Sequence, residues 1–425
     1  MSTYVKPKLL IVALEYYPIQ NAVTSIIGRF VSLLSGRFDI TIATQNSTNG
    51  LSEETISGIP VIRTPFHAFS KRENTHNNNV SDLVKMLYFK SLSKYNRDDI
   101  GRKDIYYFIS EICKKINIKK YNLILSFSNP FLSHCCASVL AEKFGVPWIA
   151  YYFDPFFSYA ALDDSNILNR KKAEEQVLSI ASRILMTYPT NENYERLGIA
   201  FQNKIVMAET PGITDSFFFG NNTRGNKESF PTNCKCYFVG NLYKDIRRPD
   251  MTIRAFSLLT DSMDLYFVGE LYRSFHDDIK SVSKNIHFLG KKGKEDIIRI
   301  YQEADILVNI GNSIDNQMPS KIFEYISTGK PILNFYKIAN CPTLKYLNRY
   351  PLALNIFEND LKNDIENNIR KIKDFCLKNK RESIPFSWIK DHYKSNTDEE
   401  VATFLGEQIQ GVLQENNEKT AYDLL

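Results

Sequence analysis

The sequence predicts an α/β protein of two Rossmann-like, doubly wound domains that face a cleft. Three observations lead there. The chain has 425 residues, and a single hydrophobic core stops growing at roughly 250–300 residues, so two domains are expected. Strand-like apolar runs alternate with helix-like stretches along both halves, the pattern of parallel sheets wrapped by helices. A composition shift, with Pro211-Gly212 and the polar stretch 220–226, separates the halves.

In the first domain, residues 1–215, the run 9–14 is continuously apolar, as suits a strand buried on both faces. A helical stretch at 22–34 follows and starts a β-α-β unit. Further strands are expected at 38–43, 60–63, 123–127, 148–153, 183–187 and 204–208. Residues 66–120 break the rhythm. The polar stretch 73–79 reads as a loop, and Leu83, Met86, Leu87, Phe89 and Leu92 then interleave with Lys85, Lys90 and Lys94. The second domain, residues 225–385, repeats the alternation with strands at 236–239, 265–268, 286–289, 306–310 and 331–335. Helical stretches at 357–377 and 398–413 close the chain, and the tail 386–425 is expected to pack its last helix back on the first domain.

Hydrophobic residues make up 43% and charged residues 24% of the chain, which places it among globular proteins. The net charge of +5 fits an anionic substrate, an anionic membrane surface or no particular partner, and no nucleic acid is expected. Seven cysteines show no C-x-x-C pair or zinc-like spacing and read as reduced thiols. The run 9–14 is too short for a secretory segment, and nothing approaches the ~18 apolar residues of a membrane helix. The expected location is cytoplasmic, with peripheral contact on the inner membrane face through residues 80–120. There Lys114, Lys115, Lys119 and Lys120 add charge within reach of anionic lipid; an amphipathic helix packed on the core is the equal alternative.

The most informative stretch runs from Asn316 to Pro331 and brackets one short helix between Pro319-Ser320 and Gly329. It follows the strand at 306–310, so its N-terminus is expected to open, with free N–H groups, on the crevice at the strands' carboxyl ends, where Lys321 adds positive charge. Glu324, one turn on, suits a ribose diol. A capped surface helix carrying an exposed Lys–Glu pair is the alternative. A second cluster, Gly240-Asn241 through Arg247-Arg248-Pro249, follows the first strand of the second domain; the glycine admits close approach and either arginine suits a phosphate. Gly269-Glu270 ends the next strand. In the first domain, Asp154 follows a buried strand, Asn21-Ala22 opens the first helix, and His134 reads as a core or helix-face residue. The histidines are scattered, and Asp163-Asp164 and Asp277-Asp278 read as helix starts, so no metal site is expected.

In order, these fragments resemble the C-terminal half of retaining GT-B glycosyltransferases and are most similar to glycosyltransferase family 4. The likeness is carried by Val239-Gly240-Asn241-Leu242, Val268-Gly269, Phe288-Leu289-Gly290, Ala304-Asp305 and the Pro319-Ser320-Lys321-x-x-Glu324-Tyr325 helix with Gly329-Lys330-Pro331. Tyr17-Pro18, residues 122–126 and 146–150, and Asp154-Pro155 extend it more loosely over the first half. Two departures stand out: Asn316 occupies the first position of the family's E-x7-E pair, with Asp315 one step out of register, and the loop 18–23 lacks paired glycines.

The resemblance implies transfer of a sugar from a nucleoside diphosphate sugar to a hydroxyl of a glycan or lipid-linked acceptor, in surface polysaccharide synthesis, without metal or cofactor and with retention. It assigns catalytic roles to Arg247, Arg248, Lys321 and Asp154. Donor binding falls to Gly240, Asn241, Gly269, Glu270, Asn316, Pro319, Ser320, Glu324, Asn21 and Ala22. A GT-B-shaped nucleotide-sugar epimerase and a non-catalytic partner subunit are the alternatives.

Overall fold

The computed structural model of the chain describes residues 5–19, 21–45, 52–65, 102–128, 130–156, 167–196, 201–219, 233–243, 246–270 and 283–423. Two compact units result: Met1–Glu209 with Glu399–Leu425, and Thr210–Asp398. The chain passes from the first unit to the second at Thr210, at the Pro211-Gly212 end of the expected junction. The backbone N–H groups of Gly212 and Ile213 donate to Asn396 O at 3.1 and 3.0 Å, which binds this segment into the second unit. The expected tail likewise divides, because 386–398 stays with the second unit and the chain returns to the first only from Glu399. The polar stretch 220–226, the residues 66–101 and both Asp-Asp pairs lie outside the described residues.

Among the described residues the first unit holds eight strands: β1 Lys8–Val12, β2 Asp39–Gln45, β3 Glu53–Ile56, β4 Ile59–Thr64, β5 Leu123–Phe127, β6 Trp148–Tyr152, β7 Arg183–Thr187 and β8 Ile205–Ala208. They lie in the order β3-β4-β2-β1-β5-β6-β7-β8, all parallel except the β3–β4 hairpin. Successive side chains in a strand point to opposite faces, so the continuous apolar runs feed two cores. Leu10, Val12, Ile124, Trp148, Tyr152 and Met186 pack on one face with the helices Arg102–Lys115, Leu132–Phe144 and Ile167–Ser179. Leu9, Ile11, Leu125, Ile149, Tyr151 and Leu185 pack on the other with Ala22–Leu34. The same second face takes Val401, Leu405, Ile409 and Val412 from the last helix, Asp398–Asp423. Each fully buried aliphatic side chain contributes about 1.5–3 kcal/mol, so this row ties the chain end firmly to the first sheet.

The second unit holds β9 Cys234–Val239, β10 Met263–Val268, β11 Ile286–Gly290, β12 Ile306–Ile310, β13 Ile332–Tyr336 and β14 Ala353–Phe357, all parallel in the order β11-β10-β9-β12-β13-β14. A row of amides runs from its buried interior to the edge strand: Asn309 Nδ2 donates to Asn334 Oδ1 at 2.7 Å, and Asn334 Nδ2 to the half-buried Asn355 Oδ1 at 2.8 Å. A one-residue slip strands these buried amides without partners, so the ladder pins the register. The helical stretch expected at 357–377 divides into Glu358–Asn363 and Ile365–Asn379, because the Asp364 side chain caps the second helix by accepting from Asn367 N.

Candidate functional site

The second sheet begins at its centre with β9, moves outward through β10 and β11, then returns to β12 on the other side. Between β9 and β12 the strand order reverses, and such a switch point leaves a crevice at the strands' carboxyl ends. Three glycines stand at the exits: Gly240 after β9, Gly269 after β10 and Gly311 after β12. Gly240 and Gly269 have φ of 156° and 142°, which side chains rarely allow. A Cβ on Gly269 would overlap the Gly240 carbonyl, so only glycine permits these two backbones to meet. Gly240 N donates to Val268 O at 2.8 Å, and Glu270 N to the Asn241 side-chain oxygen at 3.0 Å, joining the two exits.

From this platform the chain doubles back, with Tyr243 and Arg247 exchanging backbone hydrogen bonds of 3.2 and 2.9 Å. Arg247 is thereby delivered to the crevice, half-buried, with Nε and Nη2 donating to Asn312 Oδ1 at 3.0 and 2.8 Å and Nη1 to Asn241 O at 3.4 Å. Its neighbour goes elsewhere. Arg248 makes a two-pronged bond to Asp250, at 2.8 and 3.0 Å, and holds that carboxyl below the usual carboxylate range. The glutamate expected beside Gly269 also turns out, as exposed Glu270 pairs with Lys291 at 3.2 Å.

The helix after β12 is Lys321–Ser327. Lys321 Nζ reaches both oxygens of Glu324 at 2.7 Å, and Glu324 accepts a further hydrogen bond from Tyr301 Oη at 2.8 Å. Burial first, and then the Glu324 charge, raises the Tyr301 hydroxyl well above its ordinary pKa and keeps it a donor. Lys321 and Glu324 thus meet each other, as in the surface-pair alternative, with side chains 38% and 25% exposed. The free N–H groups expected at the helix start are partly used: Ile322 N donates to Pro319 O and Phe323 N to Ser320 O, each at 3.2 Å. Ser320 has helical φ and ψ, so tight i→i−3 bonds form and its side chain does not cap. The next residue, Tyr325, ties this helix to β9: its hydroxyl accepts from Val239 N at 2.8 Å and donates to Val239 O at 3.2 Å. Asn316 is buried in the loop between.

In the first unit, Asn21 caps the helix Ala22–Leu34 by accepting from Thr24 N at 2.9 Å and donates to Glu15 at 2.7 Å. Ala22 is the first residue of that helix. Asp154 follows β6 and is half-buried. The backbone before it is anchored, since Phe153 N donates to Ser128 Oγ at 3.0 Å and Phe153 O accepts from Thr190 Oγ1 at 2.9 Å. Below lies a fully buried network in which Tyr152 and Tyr194 both donate to Glu174, while His134 Nδ1 and Trp148 Nε1 each meet Ser126 Oγ at 2.7 Å. Burial lowers the His134 pKa to about 3.

The sequence reading did not single out Asn312, Tyr301, Tyr325 or Glu174 as site residues. Asn312 alone carried a signal, an amide two residues past a strand end, whereas the other contacts bring together segments remote in sequence.

Two doubly wound units with these strand orders define the GT-B fold. The solved structures agree. Sucrose-phosphate synthase (tll1590) from Thermosynechococcus elongatus is 15% identical, covers 97% of this chain and 100% of its own, and superposes with a TM-score of 0.65. Anabaena Alr3699/HepE in complex with UDP-glucose is 11% identical over 98% of this chain and 99% of its own, with a TM-score of 0.57. The lipopolysaccharide outer core galactosyltransferase WaaB, in its apo form, is 11% identical over 95% and 99%, with a TM-score of 0.55. No curated protein matches the sequence. Residues 233–343, which contain β9 to β13, match the family Glycosyl transferases group 1. That stretch of the second unit is thus similar to group 1 glycosyltransferases, and the two units share the GT-B fold.

Proposed function

We propose that the second unit holds a nucleoside diphosphate sugar and that the chain transfers its sugar to a hydroxyl of a glycan or lipid-linked acceptor engaged by the first unit, in surface polysaccharide synthesis. The observation that carries the donor reading is Arg247, half-buried at the β9/β12 switch point and braced beside a glycine platform. A diphosphate gains charge as it leaves, and a guanidinium fixed in a partly dry crevice stabilises that charge without reorganising. Lys321 opens the helix after β12 and can exchange part of its bond to Glu324 for a phosphate oxygen, which leaves Glu324 available to a ribose. With cations serving the leaving group, the reaction needs no divalent metal and no protein nucleophile, and the departing diphosphate takes the acceptor proton on the face from which it leaves, with retention. The UDP-glucose in the HepE structure makes UDP sugars the first donors to try, and WaaB supports a surface-glycan acceptor by analogy.

A panel of nucleoside diphosphates in a thermal-shift assay tests the donor reading, since a ligand at ~100 times its Kd stabilises by about 2.7 kcal/mol. One nucleotide raising the midpoint, with the rise lost in Lys321→Ala and Glu324→Gln, is the expected result. No shift with any of them would contradict it. Among the described residues no helix is long and apolar enough to cross a membrane. We place the acceptor at an anionic membrane surface met by Lys119 and Lys120, which are exposed, while Lys114 is held by Glu111 at 2.5 Å. Flotation with anionic but not neutral vesicles is the expected outcome; equal recovery would refute it.

A further inference from the structure

Tyr301 lies in the helix Lys294–Glu303, which leads into β12, and its side chain is wholly buried. Phe217 and Tyr325 meet its ring edge-on, with centroids at 5.5 and 5.9 Å, so the phenol is packed between aromatic neighbours. From there its hydroxyl donates to Glu324 Oε2 at 2.8 Å, across twenty-three residues of chain. Burial keeps that hydroxyl protonated and donating.

The other holder of Glu324 is of a different kind. Lys321 Nζ spans both carboxylate oxygens at 2.7 Å from within the same short helix, and its side chain is 38% exposed. An ammonium on a flexible stem can swing to another anion, whereas a packed phenol cannot follow. A carboxylate has about four acceptor positions. If the ammonium turns to a phosphate oxygen, it vacates a position on each oxygen of Glu324, and two neighbouring acceptors suit the two hydroxyls of a ribose diol. The bond from Tyr301 stays.

We propose that Tyr301 is a positioning residue for ribose recognition: it holds Glu324 in place when Lys321 leaves for the diphosphate, so that the vacated oxygens meet the 2′- and 3′-hydroxyls. This deepens the donor reading above and rests on it. Calorimetric titration of UDP, GDP, ADP and CDP finds the preferred diphosphate, which is then compared with its 2′,3′-dideoxy form in the wild type, Tyr301→Phe, Glu324→Ala and the double variant. Tyr301→Phe removes the hydroxyl and keeps the ring, so the aromatic packing is retained.

Wild type is expected to prefer the ribose form at least about tenfold. Tyr301→Phe is expected to reduce that preference to about threefold or less, with dideoxy affinity within about twofold of wild type. In the Glu324→Ala background the same change is expected to cost nothing further, because the tyrosine acts through the carboxylate. An unchanged preference in Tyr301→Phe would overturn the proposal, as would equal losses for both ligands, which mark a merely structural role, or an undiminished loss in the Glu324→Ala background. A wild type that binds the diphosphate but does not discriminate ribose would overturn it too, with the donor reading intact. Wild type that binds no diphosphate at all would instead remove the donor reading, and this inference with it.

Discussion

At the exits of β5 and β6 in the first unit, side chains bond to side chains: Tyr152 and Tyr194 donate to buried Glu174, and His134 and Trp148 share Ser126. At the exits of β9, β10 and β12 in the second, backbone meets backbone at Gly240 and Gly269, and the charged groups Arg247, Lys321 and Glu324 stay partly accessible. The same parallel-strand architecture thus ends in a buried side-chain network in one unit and in an open, cation-bearing crevice in the other. Completed buried networks hold their own loops rigid; crevices with partly exposed cations have charge to offer a ligand. That difference is why the donor is assigned to the second unit.

The largest expected effect breaks the glycine platform. Gly269→Val places a branched side chain at positive φ and against the Gly240 carbonyl, and is expected to cost roughly 4 kcal/mol or more in the second unit. The sequence has two tryptophans, Trp148 in the first unit and Trp388 in the second, so single-tryptophan variants report each unit's unfolding within the whole chain. Loss of stability at Trp148 alone would contradict the assignment.

Next in size is an acid effect confined to the first unit. The folded pKa of His134, about 3, lies below the ordinary 6.5, so the unfolded chain takes up the proton first as pH falls. Stability from this source is complete above pH 6.5 and declines below it, by roughly 3 kcal/mol at pH 4. Denaturation followed through Trp148 is expected to show that slope, and His134→Gln to flatten it. A slope unchanged in the variant would assign acid sensitivity to other groups.

Much of this contrast was legible in the sequence. Buried parallel strands announce themselves as apolar runs, and β1, β5, β7 and β12 fall where those runs stand. The missed strands, β3 and β14, are edges: each is largely half-exposed, so neither carries the apolar signal. The glycines and the Lys321 helix were legible as local patterns. Which arginine enters the crevice was not, because the choice depends on Asp250 two residues after Arg248 and on Asn312 sixty-five residues after Arg247. Tyr325 escaped for the same reason, since its partner Val239 lies eighty-six residues away.

A smaller effect sharpens the choice between the arginines. Arg247→Ala is expected to weaken nucleoside diphosphate binding about ten- to a hundredfold, the scale of a charge-assisted hydrogen bond, whereas Arg248→Ala changes it by less than about threefold. Equal losses in a titration of both variants would show that the Asp250 pair does not withhold Arg248 from the donor.

The central claim, that the second unit's switch point holds the donor, is tested most directly by hydrogen exchange with and without the preferred nucleoside diphosphate at saturation. Slowed exchange is predicted for the amides of 240–243, 246–248, 269–270 and 311–325, the exits of β9, β10 and β12 and the helix that follows. Saturating nucleotide that leaves these amides unchanged, while protecting other segments of the chain, would contradict it.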